Sequence, residues 1–310
     1  MPLNISVKVS TKNEYGELKS VLMGSVEKFR WPTEDKEFDR GISRSTYHET
    51  LTDRTLPDYV LEEAQEDLDR LSRIMDDRNI EVMRPMIKMS HWSYSARDIL
   101  LTVGNKIIQC PTPFSSRANE LELYPIPQDV ECEMVRAPRP EMLDDPMFDA
   151  ANVLKMNDKL LYSVSHSANQ AGAEWLQSQV GTEFEVIKWQ VVDNNITHID
   201  STLLSLNQNT LLVNASRVKE EQLPNFMRDY KKIWVDDVVP RQFHQFPYAS
   251  KWIGMNVLSL DPETIVVDDI QTQLTEKLQG HGFKIINTPM RQSRTLGGGL
   301  HCVTCDLERE

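Results

Sequence analysis

Asn256-Val257-Leu258-Ser259-Leu260-Asp261-Pro262-Glu263-Thr264-Ile265-Val266-Val267 holds two short apolar runs hinged on an acidic, proline-containing turn. This is the pattern of a β-hairpin. Three other stretches repeat it. Ile99–Val103 and Lys106–Ile108 flank Gly104-Asn105. Asn152–Leu154 and Leu160–Val164 flank Asn157-Asp158, and Leu203–Leu206 and Leu211–Val213 flank Asn207-Gln208-Asn209. The turns recur about every 50 residues, a spacing that marks a repeated structural unit.

The segments C-terminal to the hairpins are also alike. Helical spacing of apolar residues is expected over Gln170–Val180, Glu220–Tyr230 and Gln271–Gln279, with later strands at Phe184–Ile187 and Phe283–Ile286. The unit is hairpin, helix, strand. A partial unit opens the chain, with a strand at Leu18–Met23, a helix within Asp58–Met75 and a strand at Ile80–Met83. Five such units, the first and last completing each other, would close a ring without one large continuous sheet. An ordinary α/β sheet with accidental spacing is the competing reading. No low-complexity segment or long linker divides the chain, so residues 1–310 read as a single domain.

Composition narrows the function. The 310 residues carry a formal net charge of −13, which argues against nucleic acid as a partner, because that partner demands a basic footprint. The balance suits a cationic substrate, although an acidic surface also serves solubility. No stretch approaches the roughly 20 apolar residues that span a bilayer. Met1 to Gly16 shows neither a signal-peptide nor a transit pattern, so a cytoplasmic location is expected. Cys110, Cys132, Cys302 and Cys305 are too few for a disulfide scaffold, and reduced thiols are expected.

Reactive residues recur at one place in the unit. Asp98 precedes the first strand of its hairpin, and Asp149, His198-Ile199-Asp200 and Ser250 stand shortly before theirs. Arranged about an axis, they would share a pocket. Near the chain end stands Gly297-Gly298-Gly299-Leu300-His301-Cys302-Val303-Thr304-Cys305. Consecutive glycines permit unusual backbone angles and close approach. A thiol has an unperturbed pKa of about 8.5, so a neighbouring imidazole or an approaching cation is needed to favour the thiolate. Cysteine, histidine and carboxylates together read as nucleophilic catalysis. Two other readings stay open. Cys302-x-x-Cys305 could be a redox pair or half a zinc site, although no second such pair exists in the chain. The glycines could cradle phosphate, although no Lys-Ser/Thr comes after them. His91, His244 and His281 have no motif around them and read as surface or packing residues; His301 reads as packing beside the thiol.

The stretch Gly-Gly-Gly-Leu-His-Cys-Val-Thr-Cys-Asp at 297–306 resembles the active-site end of the amidinotransferases, notably the L-arginine:glycine enzymes, within the guanidino-group modifying superfamily. The likeness continues through Glu14-Tyr15-Gly16-Glu17-Leu18, Arg97-Asp98-Ile99-Leu100, Ser116-Arg117, Phe148-Asp149-Ala150-Ala151, His198-Ile199-Asp200, Ser250-Lys251-Trp252 and Met255-Asn256-Val257. It spans nearly the whole chain in the family's order. The sequence departs from the glycine-specific pattern in a short Pro138–Asp149 segment, in Ala249, in Thr197 and around Arg217.

The resemblance implies an α/β fold, a five-bladed α/β propeller with pseudo-fivefold symmetry. It implies Cys302 as nucleophile, His198 as acid/base and Asp149 as its carboxylate partner. Asp98 and Asp200 would hold a guanidinium, and Ser250 and Arg217 the substrate's amino-acid end. The implied function is amidino transfer from L-arginine to an acceptor amine, glycine being the one this likeness suggests, with ornithine and guanidinoacetate as products. An arginine-deiminase-like hydrolase is the alternative. No metal or organic cofactor is implied, the partners are small-molecule substrates, and a homodimer is the implied assembly.

Overall fold

The computed structural model describes residues 8–44, 46–47, 54–87, 91–126, 132–190 and 198–310. Four hairpins stand where the apolar pairs lie. They are β3 (Leu100–Val103) with β4 (Lys106–Gln109), β6 (Val153–Met156) with β7 (Lys159–Ser163), β9 (Leu203–Asn207) with β10 (Thr210–Asn214), and β12 (Leu258–Ser259) with β13 (Thr264–Asp268). Gly104 has φ of 57° and Asn157 of 61°, the left-handed conformation that such turns demand and that Gly and Asn tolerate.

Each hairpin gains a third strand, parallel to its second: β5 (Glu133–Arg136), β8 (Glu185–Trp189), β11 (Lys231–Val235) and β14 (Lys284–Thr288). Parallel pairing needs a crossover connection. Helix α3 (Gln170–Val180) supplies it before β8 and α4 (Thr272–Gly280) before β14. The fifth sheet joins the two ends of the chain. Strand β1 (Leu18–Met23) pairs parallel with β2 (Glu81–Met83) and antiparallel with β15 (Thr304–Arg309). Between β1 and β2 run α1 (Lys36–Arg44) and the long α2 (Asp58–Asp76). The result is a five-bladed α/β propeller.

The ring is stitched at every joint. Thr102 Oγ1 on β3 donates to the Asp306 carbonyl on β15. Lys155 Nζ on β6 donates to Thr102 Oγ1 at 3.4 Å, and β6 packs against β9. Ser259 Oγ on β12 donates to the Leu206 carbonyl at 3.4 Å. Leu18 N donates to the Leu260 carbonyl at 2.8 Å and closes the circle. Apolar clusters fill the space between neighbouring sheets. One, for example, mixes Leu154 and Leu161 with Leu203, Leu211 and Val213.

Two expectations fail in informative ways. Glu220–Tyr230 is not a helix but two 3-10 turns, Glu220–Gln222 and Asn225–Met227. Pro224 separates them: it lacks an N–H and forces the preceding Leu223 to an extended ψ of 141°. Ile99 and Asn256-Val257 lie ahead of their strands, which begin at Leu100 and Leu258. Strands β5 and β11 and helix α1 have no counterpart among the expected elements; β5 is mostly exposed. Among the described residues no helix is long and apolar enough to cross a membrane.

Arg97 is the main buried tie in this ring. Its Nη1 donates to Glu14 Oε2 at 2.9 Å, its Nη2 to Asp306 Oδ1 at 2.7 Å and its Nε to the His301 carbonyl at 2.9 Å. Lys155 lies 3.7 Å from Glu14 and 3.5 Å from Asp306. Removing one partner of a buried ionic network strands the others without solvent. Arg97→Met should therefore lower stability by about 3–5 kcal/mol, read from urea unfolding. A loss below about 1 kcal/mol, the range of an exposed pair, would contradict this account.

Candidate active site

Four units enter their first strand through a short 3-10 turn: Ala96–Asp98, Ala150–Asn152, Ile199–Ser201 and Lys251–Met255. Successive turns pack on one another. Asp149, His198 and Ser250 are the residues that precede three of these turns, Asp98 ends the first, and Asp200 is the middle of the third. Repetition thus delivers side chains from distant segments to one end of the ring. Asp98, His198, Asp200, Arg217, Ser250 and Cys302 all line one cavity of about 410 Å³. Asp149 stands behind it, joined to His198.

The loop carrying Cys302 is held from several sides. The short helix α5 (Ser293–Leu296) ends at Gly297, whose φ of 81° is left-handed. A Cβ on Gly297 would overlap the Tyr248 ring, and one on Gly299 the Asn256 side chain. Asn256 Oδ1 accepts from the backbone N–H groups of His301 (2.9 Å) and Cys302 (3.1 Å), and its Nδ2 donates to the Asp200 carbonyl at 3.2 Å. The Cys302 carbonyl accepts from Arg97 N at 3.1 Å. Cys305 has a different setting: it lies on β15, and its thiol donates to the Leu100 carbonyl at 3.1 Å. Both cysteines are free, and among the described residues no group of three or more His, Cys, Asp or Glu side chains could hold a metal ion.

Charge surrounds the thiol. Cys302 is 2% exposed, and Sγ donates to Asp200 Oδ2 at 3.2 Å. Burial, then the carboxylates of Asp200 and Asp98, push its pKa well above the ordinary thiol value. Burial would also raise Asp200, but the hydrogen bond and charge of His301 outweigh it and hold Asp200 below the usual carboxylate range. His301 Nδ1 lies 3.1 Å from Asp200 Oδ2, so this histidine does more than pack. His198 Nε2 lies 3.1 Å from Asp149 Oδ2, and its Nδ1 lies 3.6 Å from Asp98 Oδ1. Burial pulls His198 down, yet the charge of Asp98 and the bond to Asp149 raise it to about 9. Asp149 Oδ1 accepts from Thr112 Oγ1 at 2.7 Å, which fixes the carboxylate behind the imidazole. Burial and the carboxylates thus favour the protonated thiol, and the carboxylates favour the charged imidazole.

Arg217 and Ser250 meet, with Nη2 donating to Ser250 Oγ at 3.3 Å. Arg217 Nη1 also reaches the Ser201 carbonyl and the Thr202 hydroxyl, at 3.1 and 3.0 Å. Ala249 lies on the same wall. Thr197 falls outside the described residues.

Several contributors escape sequence reasoning. Arg117 and Glu120 are buried together beside Asp98; Arg117 belongs to a stretch quoted for its likeness and given no role, and Glu120 to none. Thr112 has no motif around it. The apolar wall of Phe38, Phe114, Phe246 and Tyr248 comes from three segments far apart in the chain. Phe38 rides on α1, whose first N–H groups at Glu37 and Phe38 are capped by Asp35 Oδ1 at 3.0 Å; Asp35 Oδ2 accepts from Ser116 Oγ at 2.7 Å. No local periodicity announces that assembly.

An α/β propeller with a buried cysteine, a histidine–carboxylate pair and two further carboxylates on one cavity defines a class of enzymes that work on guanidino groups. A family model described as arginine deiminase matches residues 248–309. The chain is 35% identical to inosamine-phosphate amidinotransferase 1 of Streptomyces griseus, over 97% of each chain. A solved structure of inosamine-phosphate amidinotransferase from that organism superposes with a TM-score of 0.87 and 34% identity, again over 97% of each chain. L-arginine:L-lysine amidinotransferase of Pseudomonas savastanoi pv. phaseolicola is 27% identical over 83% of this chain and 81% of its own length. The mitochondrial glycine amidinotransferase of Xenopus tropicalis is 26% identical, over 97% of this chain and 83% of its own length. The chain belongs to the amidinotransferase family, enzymes that transfer amidino groups.

The raised thiol gives a direct test. Alkylation by iodoacetamide needs the thiolate, and the thiolate fraction grows as pH approaches the thiol pKa. In the resting protein, labelling of Cys302 should keep accelerating beyond about pH 9, past the ordinary thiol pKa of about 8.5. Peptide mass spectrometry reads the rate at Cys302 alone. A plateau at lower pH would mean that the resting residue is already a thiolate.

Proposed function

We propose that the protein transfers the amidino group of L-arginine to an acceptor amine through a covalent amidino-cysteine on Cys302. The observation that carries this reading is the placing of Asp98, Asp200 and His198 around the Cys302 thiol on one cavity wall. A guanidinium is planar and always charged, and its forked donors suit carboxylates. Asp98 and Asp200 hold it with its carbon beside Sγ. That orientation supplies much of the help a resonance-stabilised carbon needs.

The arriving cation also changes the thiol. Asp98 and Asp200 are two of the charges that hold it protonated. A guanidinium paired with both offsets their field, and the thiolate becomes accessible once substrate is bound. Sulfur attacks the guanidino carbon, the C–N bond to the ornithine side breaks, and the His198 imidazolium protonates the departing amine. The thiol proton passes to solvent as the thiolate forms, and His198 is left neutral, able to accept a proton in the second half. Asp149 orients the imidazole and stabilises its charged form. The acceptor amine then attacks the amidino carbon and gives up a proton to His198. The S–C bond breaks and the thiolate returns. Arg217 and Ser250 face the substrate's amino-acid end.

The three relatives named above differ in acceptor by their names, which are inosamine phosphate, lysine and glycine. Arginine is therefore to be offered with glycine, with lysine and with an aminocyclitol phosphate, and the products weighed by mass. Ornithine formed only when an amine is present supports transfer, and the guanidinylated product names the acceptor. A second reading has its own support, since a model described as arginine deiminase matches residues 248–309. Citrulline and ammonia formed from arginine alone would establish that hydrolysis instead.

Cys302→Ser should abolish turnover, whereas Cys305→Ser should retain most of it, and an adduct of amidine mass should appear on the Cys302 peptide alone. Equal loss in both variants without an adduct would point to a redox or metal pair. In the Cys302→Ser background, Asp98→Asn and Asp200→Asn should each weaken arginine binding by about 2–5 kcal/mol, the cost of losing one member of a desolvated charged pair. Calorimetry that finds unchanged affinity in both would overturn the guanidinium assignment.

A further inference from the structure

Asp98 already has a cation beside it, and this poses a question about charge. Arg117 Nη1 donates to Asp98 Oδ2 at 2.8 Å. Taken alone, the pair is neutral and would attract a cationic substrate weakly. A third buried group alters the sum. Glu120, with no exposed surface, accepts from Arg117 Nε through Oε1 at 2.6 Å and from Arg117 Nη2 through Oε2 at 2.9 Å. Both oxygens accept an N–H, which is the arrangement of an ionised carboxylate with a guanidinium fork. Burial pushes the Glu120 carboxyl up, to about 7, while Arg117 pulls the other way. Arg117 also donates to the Ser95 carbonyl at 2.7 Å and lies 5.0 Å from the centre of the Trp92 ring, so its position is fixed from four sides. With all three ionised, Asp98, Arg117 and Glu120 together carry one net negative charge.

The geometry shows where that charge is offered. Asp98 Oδ2 is taken by Arg117, whereas Asp98 Oδ1 is buried and accepts no hydrogen bond among the described residues, with His198 Nδ1 3.6 Å away. A buried carboxylate oxygen without a donor is costly, and a ligand N–H is what such an atom lacks. Burial and nearby Asp149 push the Asp98 carboxyl up, while the charges of His198 and Arg117 pull it down. With Arg117 but without Glu120, Asp98 would be charged yet compensated.

We propose that Glu120 is a positioning residue for the transfer reaction. It acts through Arg117, cancelling the arginine's charge, so that Arg117 orients Asp98 without neutralising it and Asp98 Oδ1 is offered to a cationic substrate. The inference rests on the reading of Asp98 as a guanidinium contact. It adds that selectivity for a charged guanidinium over a neutral urea is set by a residue that touches no substrate.

The test compares arginine with citrulline, which replaces the guanidinium by an uncharged urea of nearly the same shape. Binding of both is measured by calorimetry to the full chain in the Cys302→Ser background, at one pH and ionic strength. Glu120→Gln should weaken arginine by about tenfold or more, as expected for removing one nearby buried charge. Citrulline affinity should stay within about twofold, well under the tenfold step. Glu120→Asp, which keeps the charge, should retain the preference for arginine. Equal loss of both ligands would make Glu120 merely structural and overturn the proposal, as would no change in either. If circular dichroism shows Glu120→Gln unfolded, the double variant Arg117→Gln, Glu120→Gln replaces it. That variant removes cation and anion together, leaves Asp98 beside His198, whose charge also pulls the carboxyl down, and should still prefer arginine; a lost preference refutes the charge argument. A parent protein that binds neither ligand would refute the guanidino reading of the whole site instead.

Discussion

Arg97 is the constraint on which the rest of the molecule depends. Through one guanidinium and one backbone N–H it binds the N-terminal segment at Glu14, the last strand at Asp306 and the glycine-rich loop's end at His301 and Cys302. Its neighbour in sequence, Asp98, faces the cavity. The first and last strands of the chain belong to one sheet, and that sheet carries Cys302 on its threshold. A ring closed this way pays for pairing residues nearly 300 positions apart with the entropy of a very long loop. Buried ion pairs at the joint are poor stabilisers when solvation is counted, but they penalise any closure that leaves one charge unmatched. The cysteine is therefore in register only when the ring is.

Repetition positions the site, and divergence among the repeats makes it useful. The same 3-10 entrance to a blade bears Asp149 in one unit, His198 and Asp200 in the next and Ser250 in another. Identical backbone placement brings these side chains to one end of the ring. Different chemistry at equivalent places then gives a carboxylate, an imidazole and a hydroxyl within one cavity. The Asn256 amide sets the last element, since a single oxygen fixes two consecutive N–H groups beside the thiol.

The electrostatics fit a site that waits for a cation. Asp98 and Asp200 hold the thiol protonated, and Asp98 and Asp149 hold His198 charged. A thiol so held is a poor nucleophile until a cation offsets those carboxylates, as the proposed reaction requires. The buried Arg117–Glu120 pair belongs to the same balance of charge, because it orients a carboxylate without neutralising it.

The hairpins, the repeat and the residues at the blade entrances could be read from the chain alone. Each rests on local chemistry: alternating apolar runs, turn residues at Gly104-Asn105 and Asn157-Asp158, and a glycine run before a His-Cys pair. Pro224 overrode an apolar spacing that otherwise looked helical, and that error was also local. Tertiary structure alone decided which oxygen of Asp98 stays free, that His301 bonds Asp200, that Glu120 lies behind Arg117, and that α1 brings Phe38 to the wall. Those facts depend on contacts between segments up to about a whole chain apart, and on burial, which changes the charge a side chain prefers. Period and propensity register what a residue does along the chain; they carry no information about which charge faces it across the ring.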